Sequence, residues 1–267
     1  MSEPVKLYWW AGKPNFGDAI SRAIVAHVSG REVAWAKPGA VDVFAIGSIM
    51  HVVRRGNKDP RDGARPVVWG SGCMKPVNTD FVANVDFALV RGPITESLLG
   101  IEVPGYGDPG LLMAEILGEV PRGDRIGLIP HYAQMGDPAF RAMVEAHPVL
   151  DLIDVRGDAL EVCRQIAGCA HVVSSSLHGL IVADSFGVPN TWLSPEGIHA
   201  APKLKFLDYA AGIERALPRP LALADLPGRL ASLPQGDLPY AEGVARSKAD
   251  LRASFPARLT ASEEVTQ

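Results

Sequence analysis

The sequence has few cysteines and no cluster of basic residues. Its three cysteines, Cys73, Cys163 and Cys169, form neither a CxxC pair nor a zinc-ligand spacing. A sparse and odd number of cysteines is typical of a reducing compartment and argues against a disulfide framework. The net charge is −4 with no block of Lys or Arg, so the electrostatic footprint of a nucleic-acid-binding protein is missing. We therefore expect no nucleic acid among its partners.

Long apolar runs are missing as well. The longest uncharged run, residues 165–183, is interrupted by two histidines and three serines, which argues against a membrane span. The opening residues, MSEPVKLYWWAG, include an early acidic residue and no apolar core of signal-peptide length. We therefore expect a cytoplasmic protein that associates with a membrane only peripherally, at the inner face.

Several common catalytic and cofactor-binding motifs do not occur. The sequence contains no GxSxG elbow, no GKS or GKT phosphate loop, no HExxH and no acidic metal cluster. The GxG at Gly70-Ser71-Gly72 lacks the third glycine and the downstream acidic residue of a dinucleotide site. We expect neither a metal nor a bound cofactor.

Short apolar runs that alternate with helical patterns are what the sequence does contain. Hydrophobic residues make up 47% of the chain and charged residues 21%, which is ordinary for a globular protein. The pattern predicts strands at 5–10, 33–36, 41–46, 67–69, 87–90, 126–130, 149–155, 172–173 and 188–193. It predicts helices at 18–30, 93–99, 109–117, 138–147, 159–167, 177–186 and 241–255.

This alternation predicts an α/β protein with parallel sheets and helices on both faces. A break in the pattern at 121–124 (Pro-Arg-Gly-Asp) separates two series of strands and helices. We therefore predict two Rossmann-like, doubly wound domains that face a cleft, at 1–120 and 121–215. Residues 216–267 are expected to form a C-terminal helical extension and a polar tail.

Polar segments follow several predicted strands, where open parallel sheets bind their ligands. In Asn15-Phe16-Gly17-Asp18, glycine permits close backbone approach, and the helix N-terminus suits an anion or a sugar hydroxyl. The alternative is a plain turn in which Asp18 caps the helix. Arg91, before Gly-Pro and a helix, can bind a carboxylate or phosphate with two N–H groups, or form an ordinary salt bridge.

Three further segments carry candidate residues. Asp108 is expected first to cap the next helix and only second to contact a ligand. His131 is suited to proton transfer, although a histidine beside tyrosine is more often a packed residue. In Ser174-Ser175-Ser176-Leu177-His178, three serines precede a helix with histidine in its first turn, which indicates an anion pocket rather than a Ser-rich cap alone.

Taken in order, these segments resemble the polysaccharide pyruvyl transferase family. The matching pieces are NFGD at 15–18, VRGP at 90–93, GDPGLL at 107–112, PHY at 130–132, SSSLHGLIVADSFGVP at 174–189 and KFLDY at 205–209. The resemblance implies a fold similar to two-domain GT-B glycosyltransferases. It also implies phosphoenolpyruvate as donor substrate and a sugar diol as acceptor, which becomes a pyruvate ketal in exopolysaccharide, capsule or cell-wall glycan synthesis.

The resemblance also implies which residues act. Arg91 and His178 match the family's catalytic arginine and histidine. Ser176 stands where the family motif, often written Ser-x-Arg-Leu-His, has arginine, and we expect Lys205, or else Lys203, to supply that charge. The remaining predicted substrate-binding residues are Asn15, Asp18 and His131 for the sugar, and Ser174, Ser175, Ser176 and Leu177 for the donor.

Two other functions remain open at this point. The first is a GT-B-type glycosyltransferase that uses a nucleotide sugar, because a fold does not fix a function. The second is a non-catalytic protein that binds a glycan or an anion. This function stays open because position 176 is serine where the family motif has arginine. For the pyruvyl transferase, the expected partners are phosphoenolpyruvate and a sugar or lipid-linked oligosaccharide acceptor. We also expect the protein to associate peripherally with a membrane-bound glycan assembly system.

Overall fold

The computed structural model describes residues 3–198 and 203–261, and its first part is a parallel sheet with connecting helices. The strands are β1 (Val5–Tyr8), β2 (Val33–Trp35), β3 (Val43–Phe44), β4 (Val67–Trp69) and β5 (Asp86–Leu89). The helices are α1 (Phe16–Ser29), α2 (Met50–Asn57), α3 (Pro93–Leu99) and α4 (Met113–Leu117). A 3-10 turn at Pro109–Leu112 leads into α4.

The second part repeats the alternation of strand and helix. Its strands are β6 (Ile126–Ile129), β7 (Leu150–Leu152), β8 (His171–Ser174) and β9 (Asn190–Trp192). The helices between them are α5 (Pro138–Ala146), α6 (Ala159–Ala167) and α7 (Leu177–Ser185). Two more helices follow the last strand, α8 (Leu204–Gly212) and α9 (Ala241–Ser254).

All strand pairings in both sheets are parallel, which confirms the predicted α/β class. The strand orders are β2-β1-β3-β4-β5 and β7-β6-β8-β9. The order therefore reverses direction between β1 and β3 in the first sheet and between β6 and β8 in the second. Ligands in such sheets bind outside the carboxyl ends of the strands at the reversal. The topology therefore predicts a ligand site at the loops after β1, β3, β6 and β8.

Apolar side chains cover both faces of each sheet. On β3, Val43 packs into the core that contains α1, whereas its neighbour Phe44 packs into the core that contains α2 and α3. The first of these cores continues into the second sheet, because Ile129 and the helices α6 and α7 belong to it. The opposite face of the second sheet packs against α5 through Phe140. Helices therefore lie on both faces of both sheets, as predicted.

The chain after β9 returns to the first sheet. Helix α8 packs against α3. The indole N–H of Trp69 donates a 2.8 Å hydrogen bond to the carbonyl of Leu251 in α9, and the ring of Phe255 packs edge-on against it. The division at residues 120 and 215 and the arrangement of two domains around a cleft stay predictions. The predicted polar tail falls mainly on residues 262–267, outside those that the structure describes.

Most elements lie close to their predicted bounds, but the start of α1 differs. The residue before the helix is Asn15, and Asp18 lies buried in the first turn instead of capping it. Gly30 ends the helix as predicted, with φ of 64°, and its N–H donates to the carbonyl of Ala26. The sequence pattern does not predict α2. None of the described helices combines the length and hydropathy needed to cross a bilayer.

Candidate active site

A cavity of about 250 Å³ opens at the carboxyl ends of the strands, among the four loops that the strand orders indicate. Residues from the loops after β1, β3, β6 and β8 share its wall with side chains from α1, α2 and α8. The predicted site residues that line it are Asn15, Asp18, His131, Ser176, Leu177, His178 and Lys205. Three other predicted residues, Arg91, Ser174 and Ser175, are not part of its lining.

His178 lies in the first turn of α7, with its ring against the backbone of α1. A Cβ atom placed on Gly17 would lie 2.1 Å from Nδ1 of His178, so only glycine at position 17 allows this approach. The ring of Phe16 packs edge-on against the imidazole, with centroids 6.5 Å apart. Glycine at position 17 therefore permits close approach to its backbone, as predicted. The group that approaches it is the imidazole of His178.

Asp108 lies next to His178 on the side away from solvent. Its Oδ1 accepts a hydrogen bond from the N–H of Gly110, which confirms the predicted cap of the following turn. Its Oδ2 lies 3.9 Å from Nε2 of His178, and both atoms are buried without a hydrogen-bond partner among the described residues. Unpaired buried polar atoms are rare in proteins and often mark functional sites.

Burial shifts the proton affinity of this pair in opposite directions. It raises the pKa of Asp108 to about 7, against the effect of nearby Arg91. Burial, together with the charges of Lys205 and Arg91, lowers the pKa of His178 to about 3. Each shift disfavours the charged form. The imidazole is therefore neutral near pH 7, and the adjacent carboxyl group is close to its midpoint.

Lys205 brings a buried cation to the cavity. The side chain projects from the first turn of α8, and the residue as a whole is 8% exposed. Its Nζ lies 5.4 Å from the ring centroid of Phe206, and it has no ion pair or hydrogen bond among the described residues. Burial and the charge of Arg91 lower its pKa to about 8. Lys203, the alternative considered from sequence, is exposed at the N-cap of α8 and does not line the cavity.

Asp18 faces Lys205 from α1. Its Oδ2 accepts a 2.7 Å hydrogen bond from the amide of Asn15, and that hydrogen bond holds the carboxylate at the cavity wall. Burial raises the pKa of Asp18 to about 6, while the hydrogen bond from Asn15 and the charge of Lys205 act in the opposite direction. A carboxylate with this pKa, within a cavity, is suited to accept a proton near neutral pH.

Arg91 lies behind the wall of the cavity. Its side chain is fully buried and pairs with Asp208 of α8 at 3.0 Å. Nη1 donates to Oγ of Ser48, which lines the cavity, and Nη2 donates to the carbonyl of Cys73. The guanidinium therefore has its partners within the protein. It fixes α8, and with it Lys205, instead of opening onto the ligand space, so direct donor contact by Arg91 is not what the geometry shows.

The serines after β8 mostly serve the loop itself. Ser174 Oγ accepts the N–H of Ser176, and Ser175 Oγ accepts the N–H of His131 and donates to Gln134. The N–H of Ser175 donates to the carbonyl of Ile129. The N–H groups of residues 175 and 176 thus have acceptors within the protein, and donor binding by these serines stays a prediction. The N–H groups of Leu177 and His178, in the first turn of α7, have none among the described residues.

The other end of the cavity is aromatic and was missed by motif reasoning. Trp10 and Tyr132 line it with ring centroids 5.7 Å apart, and the ring of His131 lies 4.3 Å from that of Tyr132. Ser48, His51 and Met74 complete the wall without forming any recognisable motif. The one available sequence signal was position: Trp10 ends the first predicted strand of the first series, and Tyr132 follows the first predicted strand of the second.

Residues 79–197 match the family model described as polysaccharide pyruvyl transferase. This match confirms the resemblance inferred from the order of the motifs. It covers a little under half of the chain and includes Arg91, Asp108, His131 and His178. The part of the cavity wall formed by α1 and Lys205 lies outside it.

Curated relatives match this chain over part of their length. The chain is 37% identical over 116 residues to an uncharacterized protein, L143, of Acanthamoeba polyphaga mimivirus. It is 31% identical over 129 residues to the succinoglycan biosynthesis protein ExoV of Rhizobium meliloti. These alignments cover 41% and 47% of this chain and 40% of each relative. A tetraacyldisaccharide 4'-kinase of Bordetella parapertussis is 27% identical over 260 residues, 92% of this chain and 65% of the relative. The family match and the ExoV relative support a transferase.

Proposed function

We propose that this chain, whose residues 79–197 match the polysaccharide pyruvyl transferase family, transfers the pyruvyl group of phosphoenolpyruvate to two hydroxyls of a sugar in a polysaccharide precursor. The products are a pyruvate ketal and phosphate. One observation carries the proposal: the buried, unpaired cation of Lys205 and the neutral imidazole of His178 line the same small cavity. That combination suits a small anionic donor that must also be protonated.

The anionic groups of the donor bind at Lys205 and at the N-terminus of α7. A helix N-terminus favours negative charge, and Leu177 and His178 present N–H groups there. Ser176 and Ser48 add hydroxyls to the cavity wall. Lys205 thereby supplies the charge that the family resemblance assigns to an arginine at position 176.

Donor binding prepares His178 for proton transfer. The positive charges of Lys205 and Arg91 contribute to the low pKa of the imidazole in the free protein. A bound dianion offsets these charges and adds negative charge of its own, so the pKa of His178 rises when the donor binds. The resulting imidazolium protonates the methylene carbon of phosphoenolpyruvate, and the charge of Asp108, whose Oδ2 lies 3.9 Å from Nε2, stabilises the protonated ring. Such proton transfer typically contributes ~10²–10⁴-fold to the rate.

Asp18 accepts the proton of the attacking hydroxyl. In the first step the hydroxyl oxygen bonds to C2 of the donor, C3 gains a proton and becomes a methyl group, and the hydroxyl proton passes to Asp18. In the second step the neighbouring hydroxyl bonds to C2, the bond from C2 to the phosphate oxygen breaks, and phosphate leaves with the second hydroxyl proton. Asn15, which donates to the Asp18 carboxylate, and His131 remain the proposed contacts to the sugar.

The similarity to ExoV, a succinoglycan biosynthesis protein, favours an exopolysaccharide precursor as the acceptor. We propose that this acceptor includes a lipid-linked oligosaccharide that the protein meets at the inner face of a membrane. The test incubates the purified chain with phosphoenolpyruvate and pyruvate-free oligosaccharides, and measures phosphate release together with the mass of the acceptor. Ketal formation that needs phosphoenolpyruvate supports the proposal. Glycosyl transfer from a nucleotide sugar in a parallel incubation, with no ketal from phosphoenolpyruvate, would instead identify a glycosyltransferase.

A further inference from the structure

The aromatic end of the cavity has no role in the reaction as described so far. Trp10 follows β1 of the first sheet and Tyr132 follows β6 of the second, so the pair joins the two halves of the wall. The two ring planes are inclined by 35°, and the residues are neither buried nor fully exposed. Each residue therefore keeps part of its surface accessible, while Tyr132 also contacts the rings of Trp10 and His131.

Hydrogen-bonding groups lie beside this aromatic surface. Asp18 is near enough to Tyr132 that its charge contributes to the raised pKa of the Tyr132 phenol. Its Oδ2 accepts from Asn15, whereas its Oδ1 has no hydrogen bond among the described residues. A ligand that packs on the rings therefore meets a carboxylate oxygen with spare acceptor capacity at its edge.

We infer that Trp10 and Tyr132 form a platform for one pyranose ring of the acceptor, an inference that rests on the proposed function. A pyranose presents an apolar C–H face and a rim of hydroxyls, which matches an aromatic surface bordered by a carboxylate and an amide. The platform holds the ring by its face, so that two neighbouring hydroxyls point along the wall from Asp18 toward His178 and Lys205. The platform thereby selects pyranoses that have a flat apolar C–H face and two neighbouring hydroxyls at the rim of that face.

The size of the cavity favours a sugar over a nucleotide as the occupant. Its volume of about 250 Å³ lies below the range of roughly 300–1,000 Å³ that is typical of pockets for drug-sized ligands. A three-carbon donor and one sugar ring suit such a space, whereas the base, ribose and diphosphate of a nucleotide sugar do not. The rest of an oligosaccharide acceptor extends past the aromatic pair into solvent.

The test compares Trp10→Ala and Tyr132→Ala with Trp35→Ala, which removes a tryptophan that is 48% exposed and does not line the cavity. Saturation-transfer NMR follows binding of the methyl glycosides of glucose, galactose and mannose, without donor. Sorbitol, which has hydroxyls but no ring face, serves as the control ligand. We expect at least one methyl glycoside to bind the wild type, and that binding to weaken roughly tenfold in both cavity variants and to remain unchanged in Trp35→Ala.

Steady-state kinetics separate this inference from the proposed function. With an acceptor that is pyruvylated, both cavity variants should raise the acceptor KM while the KM for phosphoenolpyruvate stays within about twofold. An unchanged acceptor KM in both variants would overturn the platform but leave the pyruvyl transferase intact. Glycoside binding that depends on Trp10, in a protein that forms no ketal, would keep the platform and refute the reaction. Equal affinity for sorbitol and the glycosides, or binding of none of the glycosides, would also overturn the platform.

Discussion

Nε2 of His178 and Oδ2 of Asp108 lie 3.9 Å apart, both buried and both without a hydrogen-bond partner among the described residues. Two unsatisfied polar atoms that face each other at this distance need only a small movement to form a hydrogen bond. Leaving them apart costs desolvation energy on both sides. We propose that this gap closes when a bound dianion raises the pKa of the imidazole and makes its Nε2–H a stronger donor.

Replacing the carboxyl of Asp108 tests this arrangement. In Asp108→Asn the Oδ1 acceptor for the Gly110 N–H remains, so the fold should persist, but the negative charge that stabilises an imidazolium is lost. We expect kcat to fall roughly 10²-fold or more with little change in the KM for phosphoenolpyruvate. The alkaline limb of the kcat profile should shift to lower pH, because the imidazolium has lost its partner. A lower kcat with the same pH profile would reduce Asp108 to a structural cap.

The same variant gives a stability signature. The folded pKa of Asp108, about 7, is raised above its ordinary value of 3.8, so the folded state holds this proton more tightly than the unfolded state does. As pH rises through that interval, the carboxyl group must ionise inside the protein, and stability falls. Asn carries no such penalty. The Tm of Asp108→Asn relative to wild type should therefore be higher at pH 8 than at pH 5, by the equivalent of about 1–3 kcal/mol. A constant difference between the two pH values would show that Asp108 ionises normally.

Lys205 and Lys203 offer a matched pair for the donor site. Lys205→Met keeps the length of the side chain but removes the buried cation, and we expect the KM for phosphoenolpyruvate to rise at least tenfold. Lys203→Met, in the same segment but exposed and outside the cavity, should leave that KM unchanged. Adding Ser176→Arg to Lys205→Met returns a cation to the same wall and should recover part of the donor affinity. Equal effects of the two lysine variants would contradict a specific donor contact.

The sequence predicts the fold better than it predicts which side chains at the site face a ligand and which contact other residues. Apolar runs and helical patterns are local, so the parallel strands and the capping role of Asp108 follow directly from neighbouring residues. Whether a polar side chain faces a ligand or another residue depends on partners far along the chain. Arg91 meets Asp208 across 117 positions, and nothing near either residue announces that ion pair. The motif around Arg91 leaves both a ligand contact and a salt bridge open for this reason, and the structure shows the salt bridge.

Gly17 supports the imidazole through the absence of a side chain. Gly17→Ala would place a Cβ atom 2.1 Å from Nδ1 of His178, and the ring must leave its position. Alanine favours the helix over glycine, but the same Cβ would also lie 2.4 Å from Cγ and 2.8 Å from Cβ of the buried His178, so we expect stability to fall by about 1–3 kcal/mol and kcat to fall sharply. Gly136→Ala is the matched control, because no atom lies within 4 Å of a Cβ there. Wild-type kcat in Gly17→Ala would mean that the observed position of the ring is not needed for the reaction.

Arg91 distinguishes bracing from catalysis. Its guanidinium is fully buried and bonds to Asp208, Ser48 and Cys73, so Arg91→Ala leaves the Asp208 carboxylate buried without its partner. Removing one partner of such a pair typically costs 3–5 kcal/mol, and we expect a loss of about that size in the free energy of unfolding, measured with urea. Arg54→Ala, which breaks an exposed pair with Asp80, should leave the unfolding midpoint near that of wild type.

Donor binding separates the two roles of Arg91. If Arg91 contacts the donor directly, Arg91→Ala loses that contact, and saturating phosphoenolpyruvate will stabilise wild type far more than the variant. If Arg91 is a brace, Arg91→Ala still binds phosphoenolpyruvate at a temperature below both unfolding transitions, more weakly only to the extent that α8 and Lys205 have shifted. Arg91→Lys then recovers part of the stability, because it restores a charge opposite Asp208.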